Sequence, residues 1–151
     1  MLQIEIKSSF VELGNFLRQF SEEGNVKAAS VLQNDLFFDE FASLIELSQS
    51  HNGWFTPEQV QFSVQSWAKA LTEDNLNQWL SNYDFSKNEP KKVGLVLAGN
   101  IPLVGFHDFL SVLISGHNVL VKTSSNDQYL LKFLANYLIA VEPNLNSKIT
   151  F

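Results

Sequence analysis

The sequence predicts an α/β protein in which a helical region, residues 1–90, precedes the β-α-β-α-β beginning of a parallel sheet, residues 91–151. Three observations carry that expectation. The run Val93-Gly94-Leu95-Val96-Leu97-Ala98-Gly99-Asn100-Ile101-Pro102 reads as a buried strand, a tight turn and a helix start, because Gly-Asn interrupts a short apolar stretch and Pro fits a first helical turn. After the stop signal Gly116-His117-Asn118, the β-branched run Val119-Leu120-Val121-Lys122 repeats the strand signal. Before residue 90, apolar residues recur three and four apart, the period of helices.

Taken in order, Leu2, Ile4 and Ile6 alternate with polar residues, which predicts a short strand. Ser8 and Ser9 offer caps to a helix with Phe10, Leu13, Phe16, Leu17 and Phe20 on one face, ended by Gly24-Asn25. A helix-forming run is expected from Val26 through Ala28, Ala29, Val31 and Leu32, then a second, largely buried one from Asp35 with Phe37, Phe41 and Leu44 on one face, widened by Phe38 and Ile45. Asp39 and Glu40 are adjacent on that helix and so point about 100° apart. They read as a solvated face, not as a carboxylate pair.

Residues 48–56 form a polar loop ending in Trp54 and Phe55, which are expected to staple the next helix onto the preceding one. Thr56 as N-cap, Pro57 at the first helical position and Gln59 at the third make a capping-box start. The lone His51 in the loop reads as a solvated side chain. The helix continues through Val60, Val64, Trp67, Ala68 and Leu71, and Thr72-Glu73-Asp74 caps another that holds Leu76, Trp79, Leu80 and Tyr83. Asp84–Lys92 is polar and reads as the linker into the sheet.

Beyond the first strand a helix is predicted over Leu103–Ser115. Thr123-Ser124-Ser125-Asn126 supplies N-cap side chains for another, running to about Val141 and closed by Pro143. Lys148-Ile149-Thr150-Phe151 begins a third strand. Short connections in this order favour parallel strands with right-handed crossovers.

Composition narrows the chemistry. The 151 residues include no Cys, so there is no disulfide framework and no thiolate metal site, and His51, His107 and His117 lack ligand-like grouping. No metal site is expected. No basic segment followed by an apolar core opens the chain, and no apolar run approaches a membrane span, which predicts a cytoplasmic protein. Residues 1–90 hold 5 Lys and Arg against 13 Asp and Glu, whereas 91–151 hold 5 against 3. The acidic first part disfavours nucleic acid. The slightly basic remainder suits a phosphate-bearing cofactor or a coenzyme A ester.

Leu97-Ala98-Gly99-Asn100-Ile101-Pro102-Leu103, followed by Gly116-His117-Asn118-Val119-Leu120-Val121-Lys122-Thr123-Ser124-Ser125, resembles the cofactor-binding region of the aldehyde dehydrogenase superfamily. Within it the chain is most similar to the acyl-CoA reductase family that includes the fatty-acid reductase of bacterial bioluminescence. That family also carries a Trp-Phe-Thr-Pro-Glu element in a helical N-terminal region, matched here by Gly53-Trp54-Phe55-Thr56-Pro57-Glu58. The fold implied is an aldehyde-dehydrogenase-like, nucleotide-binding parallel sheet preceded by helices.

The resemblance implies roles position by position. Asn100 falls where an amide helps hold the thioester or hemithioacetal oxyanion, and Leu97, Ala98 and Gly99 fall where the backbone flanks the nicotinamide. Lys122 falls where a lysine meets the adenosine ribose or its 2'-phosphate, with Ser124 and Ser125 beside it. Many NAD-dependent relatives carry Glu three residues after this lysine, which accepts ribose hydroxyls and repels a phosphate. Ser125 removes that repulsion, so NADPH is the implied cofactor. Gly94, Gly99 and Gly105 do not form Gly-x-Gly-x-x-Gly, and sheets of this superfamily bind dinucleotides without it.

The implied reaction is reduction of an acyl-CoA or other acyl thioester to an aldehyde. The superfamily's nucleophile is a cysteine, and this chain has none. The resemblance therefore implies the N-terminal part of a longer enzyme, inactive in acyl transfer to sulfur by itself. On spacing alone, Asn100 could equally shape a turn or cap a helix, Lys122 could be a solvated strand-end charge, and His107 a helix-surface residue. The alternative from another class is a non-catalytic helical interaction or oligomerisation module with an α/β stub. A homo-oligomer is expected in either case, more so for the stub, whose open strand edge favours pairing between chains.

Overall fold

The computed structural model describes residues 3–151. Helices α1 (Gln3–Leu17), α2 (Asn34–His51), α3 (Pro57–Ala70) and α4 (Glu73–Leu80) precede β1 (Lys92–Val96), α5 (Phe106–Ile114), β2 (Asn118–Lys122), α6 (Leu130–Val141), a 3₁₀ turn over Pro143–Ser147 and β3 (Ile149–Thr150). The three strands form one parallel sheet in the order β1-β2-β3. The α/β class and the parallel arrangement expected from the sequence are thus present.

The expected strand over Leu2–Ile6 is a helix from Gln3 onward; Leu2 lies outside the described residues. Ile6 belongs to the helical series that buries Phe10, Leu13 and Leu17, while Ile4 is left exposed. The longer-range period outcompetes the local alternation. The run from Val26 to Leu32 is a series of turns, not a helix. There the backbone groups of Ala28 are taken by side chains: Gln19 Oε1 accepts from the Ala28 N–H at 2.8 Å and Asn34 Nδ2 donates to the Ala28 carbonyl at 2.7 Å. Those bonds replace the ones a helix would have used.

Both threonine caps are in place. Thr56 Oγ1 accepts from the Gln59 N–H and Thr72 Oγ1 from the Asn75 N–H, satisfying first-turn donors of α3 and α4. Only Phe55 of the expected aromatic staple is buried; Trp54 is exposed. Helix α4 ends at Leu80, short of Tyr83.

Residues on both sides of the linker share one core. Phe16 of α1 stacks on Tyr137 of α6 with ring centroids 4.3 Å apart, and Phe41 of α2 stacks on Phe133 of α6 at 4.8 Å. Aromatic pairs of this kind add about 0.5–1.5 kcal/mol each beyond the area they bury. The Tyr137 hydroxyl donates to the Leu32 carbonyl at 2.9 Å. Burial, then the nearby Glu12, push it well above the usual phenol range.

The sheet is two-faced. Val119, Val121 and Ile149 point into the core, where α5 packs on β2 and β1. The opposite face is open: Val96 is 83% and Leu120 43% exposed.

Candidate functional site at the carboxyl ends of β1 and β2

The two longer strands end together, Val96 opposite Lys122, and the Leu97 N–H donates to the Lys122 carbonyl at 3.0 Å. From there the chain diverges into two loops, residues 97–105 and 123–129. The carboxyl end of a parallel sheet is where α/β proteins present binding groups.

The first loop is tightly held. Gly99 is buried, and a Cβ there would lie 2.5 Å from Ser124 Oγ and 2.7 Å from Ser124 Cβ. Only glycine lets the loops approach this closely. A Cβ at Gly105 would similarly meet the Leu97 side chain at 2.5 Å.

Helix α5 starts at Phe106, later than the expected Leu103. Leu103 adopts φ 60, a left-handed conformation unusual for a leucine,. Its N–H goes to the Asp127 carboxylate, which also takes the Leu130 N–H at the start of α6. Burial raises the Asp127 pKa, against the lowering effect of those two bonds. Helix α6 also begins late, at Leu130. Ser124 Oγ instead accepts from the Asn126 N–H at 3.2 Å and holds a turn,.

A third element joins the loops. Asn52, at the end of α2, donates from Nδ2 to the Gly99 carbonyl at 3.3 Å and to the Asn126 carbonyl at 3.0 Å. Beside it the His51 and Tyr129 rings lie 4.2 Å apart.

The predicted site residues divide into two groups. Leu97, Gly99, the Lys122 backbone and Ser124 meet where the loops touch. Asn100 is exposed and lines a cavity of about 300 Å³ with Glu58, Gln59, Phe62 and Ser63 of α3 and with Ile101 and Pro102. Lys122, Ser124 and Ser125 do not line that cavity. Ala98, Lys122 and Ser125 are exposed. Asn100 and Lys122 therefore do not line one common cavity.

His107 is exposed, with its ring centroid 6.4 Å from that of Trp67 and 6.1 Å from that of Trp79. It lines a separate cavity of about 320 Å³ with those tryptophans, Leu71, Leu76 and Leu110. Among the described residues no cluster of His, Asp and Glu could hold a metal ion, and no helix is long and apolar enough to cross a membrane.

Sequence reasoning missed Asn52 and Asp127. Their partners lie in other loops, and only the proximity of Asn52 to Gly53-Trp54-Phe55-Thr56 hinted at a role.

These features define an α/β protein whose candidate site is a loop pair at the carboxyl ends of parallel strands, bounded by a helical region. A family model described as "Acyl-CoA reductase (LuxC)" matches residues 26–150, most of the chain, which therefore belongs to the LuxC-type acyl-CoA reductase family. The chain is 35% identical over 79 residues to the long-chain acyl-protein thioester reductase of Aliivibrio fischeri, a match covering 50% of this chain and 16% of that protein. It is 34% identical over 71 residues to the protein of the same name from Photorhabdus laumondii, covering 46% and 15%. The chain thus spans well under half the length of these relatives. No solved structure matches.

Proposed function

We propose that this chain is the N-terminal part of an NADPH-dependent reductase that converts an acyl thioester, acyl-CoA or acyl-protein, to an aldehyde. The observation that carries the reading is the meeting of the two loops at the ends of β1 and β2, with the Lys122 side chain exposed beside them. The donor set suits an anionic nucleotide: one amine and the hydroxyls of Ser124 and Ser125. The only carboxylate of these loops, Asp127, is already turned to the Leu103 and Leu130 N–H groups. A 2'-phosphate beside Lys122 would meet a charge-assisted donor and no opposing carboxylate.

In this reading Lys122, Ser124 and Ser125 bind the adenosine end, and the backbone of Leu97, Ala98 and Gly99 flanks the nicotinamide. Asn100 acts as a catalytic residue, donating from its amide to the developing oxyanion. The reduced nicotinamide, when bound, supplies the hydride. The acyl group would be held on a cysteine that this chain does not contain. The family membership and the names of its relatives support the acyl-reductase class. NADPH and the aldehyde product rest on the resemblance of residues 97–103 and 116–125.

The test is an NADPH fluorescence titration of the chain and of Lys122→Glu. Saturable binding that the charge reversal weakens by about tenfold or more is expected, from loss of a charged hydrogen bond and gain of repulsion. No saturable change, or an unaltered NADPH preference in Lys122→Glu, would remove the cofactor assignment. The open face at Val96 and Leu120 favours a second reading, a module that associates through its sheet into a homo-oligomer without binding nucleotide. A flat titration together with self-association in sedimentation would select it.

A further inference from the structure

We infer that Asn52 is a positioning residue through which the helical region fixes both loops of the candidate site. The inference rests on the reading of those loops as the cofactor and oxyanion site. Asn52 is itself firmly held. Its N–H donates to the Ser48 carbonyl at 3.0 Å, its carbonyl accepts from the Phe55 N–H at 2.8 Å, and its Oδ1 accepts from the Trp54 N–H at 3.0 Å. Ser48 Oγ donates to the Ile45 carbonyl at 2.6 Å and lies 3.2 Å from the Phe55 carbonyl, and the Phe55 side chain is buried. The turn 48–55 is therefore a braced platform from which one planar NH₂ group projects.

That group has two hydrogens, and each has a separate destination. One reaches the Gly99 carbonyl and the other the Asn126 carbonyl, so one amide spans the loops that follow β1 and β2. The bond to Gly99 has a specific consequence. The Gly99 carbonyl and the Asn100 N–H lie in one rigid peptide plane, so fixing that oxygen fixes the direction in which Asn100 leaves the loop.

Asn is the side chain this geometry requires. Asp at position 52 would aim one carboxylate oxygen, in place of Nδ2, at two carbonyl oxygens, and Ala would leave both carbonyls without this donor,. The contact of the His51 ring with Tyr129 reinforces the same junction but makes no hydrogen bond to either loop.

The experiment combines amide hydrogen exchange with NADPH titration on the chain, comparing wild type, Asn52→Ala, Asn52→Asp and Thr56→Ala. Thr56→Ala removes the cap of the adjacent α3 and leaves both loop contacts intact, so it reports a merely structural disturbance. Asn52→Ala is expected to accelerate exchange in residues 98–104 and 124–128 by about tenfold, Asn52→Asp by at least as much, and Thr56→Ala not at all. Acceleration by Thr56→Ala equal to that by Asn52→Ala, or none in Asn52→Ala, overturns the inference.

The titration separates this inference from the functional reading. If the wild-type chain binds no NADPH, the cofactor assignment fails while the exchange pattern still decides the role of Asn52. If it binds and Asn52→Ala binds equally tightly, the positioning role is overturned.

Discussion

The loops after β1 and β2 begin at paired positions of the same sheet, and the first is tied at more points than the second. Residues 97–105 are immobilised from several directions: Gly99 against Ser124, Gly105 against Leu97, Leu103 on Asp127 and the Gly99 carbonyl on Asn52. Residues 122–129 keep their backbone tied, by Ser124 Oγ and Asn52, but present Lys122, Ser125 and Asn126 to solvent. In the proposed reading the difference would suit two kinds of chemistry. A donor to a developing oxyanion must be placed before the reaction, whereas a long lysine can find a phosphate by rotamer adjustment.

The strongest way to break this comparison is Asn100→Ala in a complete reductase carrying these residues. Loss of an oxyanion donor is expected to lower turnover by about 2.7–4 kcal/mol in transition-state stabilisation, with little change in NADPH affinity. Steady-state kinetics with a cofactor titration checks the split, and equal losses in both would mean that Asn100 is not the preorganised donor.

Gly99→Ala attacks the lock itself. Its Cβ would overlap Ser124, and overpacking of this kind is expected to destabilise the chain by about 1–3 kcal/mol. Urea denaturation measures the loss. Ser124→Gly in the same chain should recover part of it, and a failure to do so would show that the loop contact is not the source.

The smallest effect concerns Asp127, which joins the two loops. Its pKa is raised from 3.8 in the folded chain, by burial, so the folded state holds the proton to higher pH than the unfolded state does. That contribution to stability is full below the unfolded pKa and is lost as pH rises through the folded one. Asp127→Asn should flatten this slope in denaturation curves measured from acid toward neutral pH. A slope unchanged by the substitution would assign it to another group.

What could be read from the sequence was local. The Thr56 and Thr72 caps needed only a hydroxyl three residues before an orphan N–H, and the strands at Val93 and Val119 needed only a short apolar run bounded by glycine. What could not be read depended on distant partners. The segment after Val26 fails to form a helix because Gln19 and Asn34 capture the backbone of Ala28. Helix α5 starts late because Leu103 adopts a left-handed conformation, its N–H held by a carboxylate from the second loop. The motif that singled out Gly99 and Ser124 was local, and the fold packs these two residues together. Asn52 could not be singled out in this way, because its contacts at Gly99 and Asn126 cross from the helical region to the sheet, and no spacing rule in one chain encodes such a bridge.

The stacking of Phe133 and Tyr137 on Phe41 and Phe16 has a mechanical outcome. Helix α6 is packed on α2 and α1 through its middle, and β2 is paired in the sheet, so the stretch between them is a short span between two packed elements. A nucleotide bound at Lys122, as proposed, would therefore be expected to leave α6 in place. In the proposed reading, reorientation of the exposed Lys122 side chain, on the picosecond-to-nanosecond scale typical of exposed groups, would then supply the first adjustment to a nucleotide.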